Sequence, residues 1–167
     1  MATGSLISVQ EYLSTSYNPD RDYVDGAVIE RNVGERDHSR LQTDLSTYLN
    51  VRRKEWGIRV YVEQRVQVKP TRFRVPDICV VAGPEPDEQI FTTPPLVCIE
   101  ILSRDDRWSD LQDKVDDYLS FGVPHVWVID PRTRKAFEYT PAGMHEIAEL
   151  KTPAPPIAIP LAALFED

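Results

Sequence analysis

Two carboxylates stand where carboxylates are costly. Asp77 interrupts the apolar run Val75-Pro-Asp-Ile-Cys-Val-Val81, and Glu100 interrupts Leu96-Val-Cys-Ile-Glu-Ile-Leu102. Taking such a charge out of water costs on the order of several kcal/mol if it stays unpaired. Side chains alternate along a strand, so Asp77 shares a face with Cys79 and Glu100 shares one with Cys98. If these strands are neighbours, as consecutive elements usually are, both carboxylates converge at the sheet's edge. A hard divalent cation such as magnesium compensates a pair of this kind, with carbonyl and water oxygens filling the remaining positions. The plainer alternatives are a turn or cap acceptor for Asp77 and a structural ion pair for Glu100.

A third group lies on the helix that follows Glu100. Leu111, Val115, Tyr118 and Leu119 form its apolar stripe, with Lys114 at the margin beside Tyr118 and with Asp113 and Asp116 turned to solvent. Lys114 can therefore reach back toward the sheet, oriented by Asp110 four residues earlier. An ammonium beside a metal-bound carboxylate pair can hold the attacking water and stabilise charge growing on a phosphate. The plainer reading is an exposed Asp110–Lys114 helix pair, worth about 0.3–0.5 kcal/mol.

The elements that must position these groups follow from the pattern. Ser8-Val-Gln-Glu11 has capping-box spacing and starts a short helix. Asp25-Gly26 between Tyr23-Val24 and Ala27-Val-Ile29 signals a hairpin. Helical spacing of Leu41, Leu45, Tyr48, Leu49 and Trp56 predicts one helix over 35–56, stopped by Gly57. Strands are predicted over 58–68, 73–82 and 96–102, with a Pro-rich loop over 83–95. A helix over 108–121, closed by Gly122 and Pro124, leads to strands over 125–130, 136–139 and 145–150 and a Pro-rich tail ending in Leu161–Phe165. The pattern gives an α/β fold, a mixed sheet flanked by helices with additional hairpins, as a single domain over residues 1–167.

With 41% hydrophobic and 28% charged residues, the chain is an ordinary globular one. No apolar run approaches the roughly 20 residues of a membrane span, and Met1–Ser8 lacks the basic and apolar pattern of a leader. Cys79 and Cys98 sit in apolar runs as free thiols would, so a cytoplasmic protein is expected. The formal net charge of −8 argues against a nonspecific polyanion binder. Yet Arg52–Arg74 holds eight basic residues against two acidic ones, which fits either a phosphate-tracking surface or a solvated helix end and hairpin.

Several classes fall away. The seven glycines are isolated, so no phosphate-cradling loop exists. There is no Gly-x-Ser-x-Gly elbow, and His38, His125 and His145 lack zinc spacing.

The order Pro76-Asp77, Glu100-Ile-Leu-Ser103, Asp110-x-x-x-Lys114-x-x-x-Tyr118 and Gly122-Val-Pro-His-Val-Trp-Val-Ile-Asp130-Pro131 resembles a family of proposed restriction endonucleases with the PD-(D/E)XK, restriction endonuclease-like nuclease fold. The resemblance extends to Asp25-Gly26 with Val28-Ile-Glu30 and to His38. In the wider superfamily the lysine stands two residues after the glutamate, where this chain has Leu102. The resemblance implies that the lysine has moved to the next helix, as Lys114. It further implies that Asp77 and Glu100 bind magnesium, or manganese, that the Ile101 carbonyl completes the coordination, and that Lys114 acts on the water. Glu30 and His38 are implied to lie near the site.

The leading expectation is a magnesium-dependent endonuclease hydrolysing DNA phosphodiester bonds, working as a homodimer, with no membrane association. Backbone contacts would come from the basic stretch, including Arg72 and Arg74, and from Arg104 beside the site. One alternative is a catalytically inactive nuclease-like domain serving in nucleic-acid binding or assembly. Another is a metal-dependent hydrolase of some other phosphoester.

Overall fold

The computed structural model describes residues 4–166; the first three residues of the segment Met1–Ser8, and Asp167, lie outside it. Helix α1 (Val9–Ser14) starts as the capping spacing requires, with the Ser8 hydroxyl accepting the Glu11 amide at 3.1 Å. Strands β1 (Asp22–Val24) and β2 (Ala27–Ile29) form the expected hairpin. Asp25 and Gly26 at its turn both have positive φ, 49° and 100°.

The single helix expected over 35–56 is two, α2 (Arg36–Val51) and the one-turn α3 (Arg53–Trp56), broken at Arg52 and closed by Gly57 in the left-handed conformation. The strand expected over 58–68 is also two, β3 (Ile58–Val62) and β4 (Val66–Lys69). Glu63, at φ 52°, turns the chain out of one sheet and into another. The strand expected over 73–82 divides into β5 (Arg72–Arg74) and β6 (Ile78–Ala82). Pro76 lies in the break, where a ladder amide would be needed.

Strand β7 (Val97–Ile101), helix α4 (Trp108–Phe121) and strand β8 (His125–Asp130) follow as one βαβ unit. Strands β9 (Lys135–Thr140) and β10 (Gly143–Ile147) extend the sheet. Strands β11 (Glu149–Lys151) and β12 (Ala158–Pro160) pair separately, and a 3-10 turn covers Leu161–Leu164.

The main sheet runs β10-β9-β8-β7-β6-β3, antiparallel except for the parallel β7–β8 pair that α4 connects. Alternation divides its side chains between two layers. Ile78, Val80, Val97, Ile99, Ile101, Trp127 and Ile129 pack with Leu41, Leu45 and Leu49 of α2. Cys79, Cys98, Val126 and Val128 pack with Leu111, Val115 and Tyr118 of α4. The smaller sheet, β2-β1-β5-β4, carries Tyr23 and Phe73 against Tyr12 of α1. Both cysteines are free and buried, directly opposite each other across β6 and β7. Among the described residues no helix is long and apolar enough to cross a membrane.

Candidate active site

The register that pairs Ile78 with Ile99 and Cys79 with Cys98 continues one step to place Asp77 opposite Glu100. Both therefore emerge at one end of the main sheet, on the face that α4 covers. Opposed residues of an antiparallel pair have Cα atoms about 4.5–5.5 Å apart. Both side chains are buried. One further step puts Pro76 opposite Ile101. Proline has no N–H, so the Ile101 carbonyl receives no ladder bond from it, while the Ile101 amide donates 2.7 Å to Asp77 Oδ2.

The Asp77 carboxylate is otherwise surrounded by cations. Arg31 Nη2 donates to Oδ1 at 3.1 Å, and His38 Nε2, from the first turn of α2, lies 3.3 Å from the same oxygen. Burial alone would raise the Asp77 pKa, but His38, Arg31 and the Ile101 amide together hold it below the ordinary value. The backbone of Asp77 is fixed too, its carbonyl accepting from Gln42 Nε2 at 2.9 Å and from the Glu63 amide at 3.2 Å.

Glu100 has the opposite electrostatics. Its Oε1 accepts a 2.6 Å hydrogen bond from the Tyr118 hydroxyl. Burial pushes its carboxyl up to about 8, with Asp77 adding to the shift and Lys114 opposing it. Lys114 sits at the margin of α4 with Nζ 4.0 Å from Asp22 Oδ2. Burial would lower its pKa, but Glu100, Asp22 and Asp77 raise it on balance, so the ammonium stays charged. Asp22, and not Asp110, is its paired carboxylate.

The remaining expected residues divide. Glu30, with 74% of its side chain exposed, pairs with Arg21 at 3.2 Å and lines the same cleft as Arg31 and Lys114. Arg74 was expected to contact substrate, yet it is buried and bonds Asp117 at 2.8 Å, Asp113 at 2.8 Å and Asp22 at 3.2 Å. Asp113 is therefore not simply turned to solvent. Arg72 bonds Asp25 and Asp117, each at 2.9 Å, so it too serves an internal network. Arg104 is exposed beside the site, its amide donating to Glu35 Oε1 at 2.9 Å. Arg31, Asp22, Gln42 and Glu63 escaped the sequence reading, because each lies outside the apolar runs that made Asp77 and Glu100 conspicuous.

Asp77, Glu100 and the Ile101 carbonyl offer oxygen donors only, the set that suits a hard divalent ion. Among the described residues no group of three or more His, Cys, Asp or Glu is gathered for a metal, so carbonyl and water would supply most ligands. The Glu100 carboxyl, raised chiefly by burial, keeps its proton at neutral pH, and a divalent ion held there would displace it.

One solved structure shares this fold over nearly its whole length. A putative nuclease belonging to DUF820 from Anabaena variabilis ATCC 29413 superposes with a TM-score of 0.83 at 24% identity, over 95% of this chain and 97% of that one. A chain of the DrdV–DNA complex matches 66% of this chain and 12% of its own length, at 12% identity and a TM-score of 0.43. No curated protein matches. The Uma2 family model, described as putative restriction endonuclease, matches residues 9–165, and the chain belongs to that family.

Proposed function

We propose that this chain is a metal-dependent endonuclease that hydrolyses DNA phosphodiester bonds. The observation that carries the reading is the opposed, buried pair Asp77 and Glu100, with the Lys114 ammonium close enough to interact with both. Asp77, Glu100 and the Ile101 carbonyl would hold magnesium or manganese, which supplies Lewis-acid activation of water and phosphate. The chain's own residues do the rest. Lys114, kept charged by Glu100 and Asp22, donates to the attacking water or to a phosphate oxygen as negative charge builds there. Tyr118 fixes the Glu100 carboxylate, while His38 and Ile101 fix that of Asp77. Glu30 stands on the cleft wall, where it can contact water.

Cleavage of linear and supercoiled DNA with magnesium or manganese tests the reading. Native protein should cut only with metal, and Asp77→Ala, Glu100→Ala and Lys114→Ala should each lose at least about a hundred-fold in rate. Folded native protein that cuts nothing with either metal would refute it. The Arg31 guanidinium on Asp77 favours a second reading, a domain that binds nucleic acid without cutting; cleavage-dead native protein that still binds DNA would support that one.

A further inference from the structure

Trp108 is the first residue of α4 and lies on the same helix face as Leu111, Val115 and Tyr118. Those three are buried against the sheet, but Trp108 is 61% exposed, because the stripe there runs beyond the sheet's end. Trp56 and Trp127 are buried. The Trp108 ring borders a shallow hollow of about 130 Å³ with Leu102, Asp130 and Arg132. Arg132 also lines the neighbouring groove of about 590 Å³, which presents Arg36, Arg40, Arg132 and Arg134 against only two acidic residues, over a floor that includes Phe165. Arg36 in turn borders the depression that holds His38, the residue on Asp77. An exposed indole, a row of arginines and the carboxylate pair thus share one end of the molecule.

From this continuity we infer that the groove carries a single-stranded stretch of nucleic acid, with Trp108 stacking on an unpaired base. The inference rests on the nuclease reading and narrows its substrate. Charge complementarity favours a phosphate backbone, since the groove keeps a positive excess even though Asp37 pairs with Arg36 and Asp44 with Arg40, in a chain whose formal net charge is −8. The two acidic groups that line the hollow with Trp108 are hydrogen-bonded within the chain. Asp106 accepts from the Ser103 amide at 2.8 Å and from Asn32 at 2.7 Å, and Asp130 accepts from the Arg132 amide at 2.9 Å. Bases within a duplex are covered by their neighbours, whereas an unpaired base has a free face for the indole.

The test uses the full chain in chelator, so that binding is read apart from cutting. Tryptophan emission of native protein and of Trp108→Ala is followed while oligothymidylate or a blunt duplex is added, the difference being that of Trp108, and affinity is measured by anisotropy of labelled strands. Oligothymidylate should quench Trp108, and Trp108→Ala should weaken its binding at least roughly five-fold, with Trp108→Tyr restoring most of it. Arg132→Ala combined with Arg134→Ala should weaken it as well. Equal binding by native protein and Trp108→Ala, or duplex preferred without quenching, overturns the inference. So does Trp108→Ala abolishing self-association in sedimentation while leaving nucleic-acid binding intact, which would make the indole a protein contact. The two readings fail separately. Metal-dependent cutting of duplex without stacking keeps the nuclease and removes the single-strand track; stacking without any cutting does the reverse.

Discussion

Glu100 links protonation and stability at one residue, and in the proposed function the metal as well. Its carboxyl is raised from 4.5 to about 8, so the folded chain retains a proton there that the unfolded chain has already released. Stability from this group is therefore full below the unfolded value and declines as pH rises through the folded one. His38 adds the same sign, because its pKa is raised above 6.5 and its contribution fades as pH climbs past the raised value. Asp77 acts oppositely: its pKa is lowered from 3.8, so its contribution is present at neutral pH and lost only in acid. In chelator, the melting temperature should fall between about pH 5 and pH 8. Glu100→Gln keeps an acceptor for Tyr118 without the charge; it should flatten that slope and gain roughly 1–3 kcal/mol at pH 8 while losing cleavage. Magnesium should stabilise native protein at pH 8 and leave Glu100→Gln unmoved, a comparison that scanning fluorimetry can make. A native profile flat with pH would contradict the assignment of Glu100.

Arg31 supplies the second test at this scale. Its guanidinium occupies Asp77 Oδ1 and also meets Glu63 at 3.4 Å. Arg31→Met should destabilise the metal-free protein by about 3–5 kcal/mol, since a buried carboxylate loses one of the two cationic partners that it has in Arg31 and His38. It should also tighten manganese binding, because the guanidinium and the ion compete for the same oxygen. Calorimetric titration showing weaker manganese binding by the variant would rule out that competition.

Among the elements, Lys114 depends on a clamp assembled from three pieces of chain. Asp22 of β1 and Asp113 and Asp117 of α4 converge on Arg74 of β5, and Asp22 also accepts the Val75 amide at 3.1 Å. This ties the smaller sheet to the helix and brings Asp22 to Lys114 Nζ, 4.0 Å away. Arg74→Ala leaves two buried carboxylates, Asp22 and Asp117, without their shared cation, so it should cost about 3–5 kcal/mol and lower the melting temperature even without nucleic acid. A variant of native stability with weakened DNA binding would instead restore Arg74 as a substrate contact. Gly122 closes α4 at φ 106°, with the Val123 amide on the Tyr118 carbonyl at 3.0 Å; the Gly122 and Pro124 stop signals placed this end correctly.

For the molecule as a whole, the location of charge matters more than its total. The β3–β6 register pairs Ile58 with Ala82 and Val62 with Ile78, so Arg53, Lys54 and Arg59 gather at the end of the sheet opposite Asp77. Arg65, Arg72 and Arg74, from the same basic stretch, are held by Asp20, Asp25, Asp117, Asp113 and Asp22. The arginines at the site end come from elsewhere in the chain. Removing Arg53, Lys54 and Arg59 together should therefore leave the salt dependence of DNA binding unchanged. Arg132→Ala should reduce the slope by about 0.7–0.9 if it neutralises one phosphate. The reverse pattern in binding titrations across salt would return the phosphate contacts to the 52–74 stretch.

Local signals alone determined much of this protein: the Ser8 cap, the Asp25-Gly26 hairpin, α4 with its Gly122 stop, β8, and the placing of two carboxylates within apolar runs. Each rests on residues within a few positions of one another. Only the tertiary structure decided that 58–68 and 73–82 each divide between two sheets, because alternation reads the same whichever sheet a strand joins. It likewise decided which charges meet. Arg31 reaches Asp77 across 46 positions and Arg74 reaches Asp22 across 52, and ion pairing depends on proximity in space, which spacing along the chain does not encode.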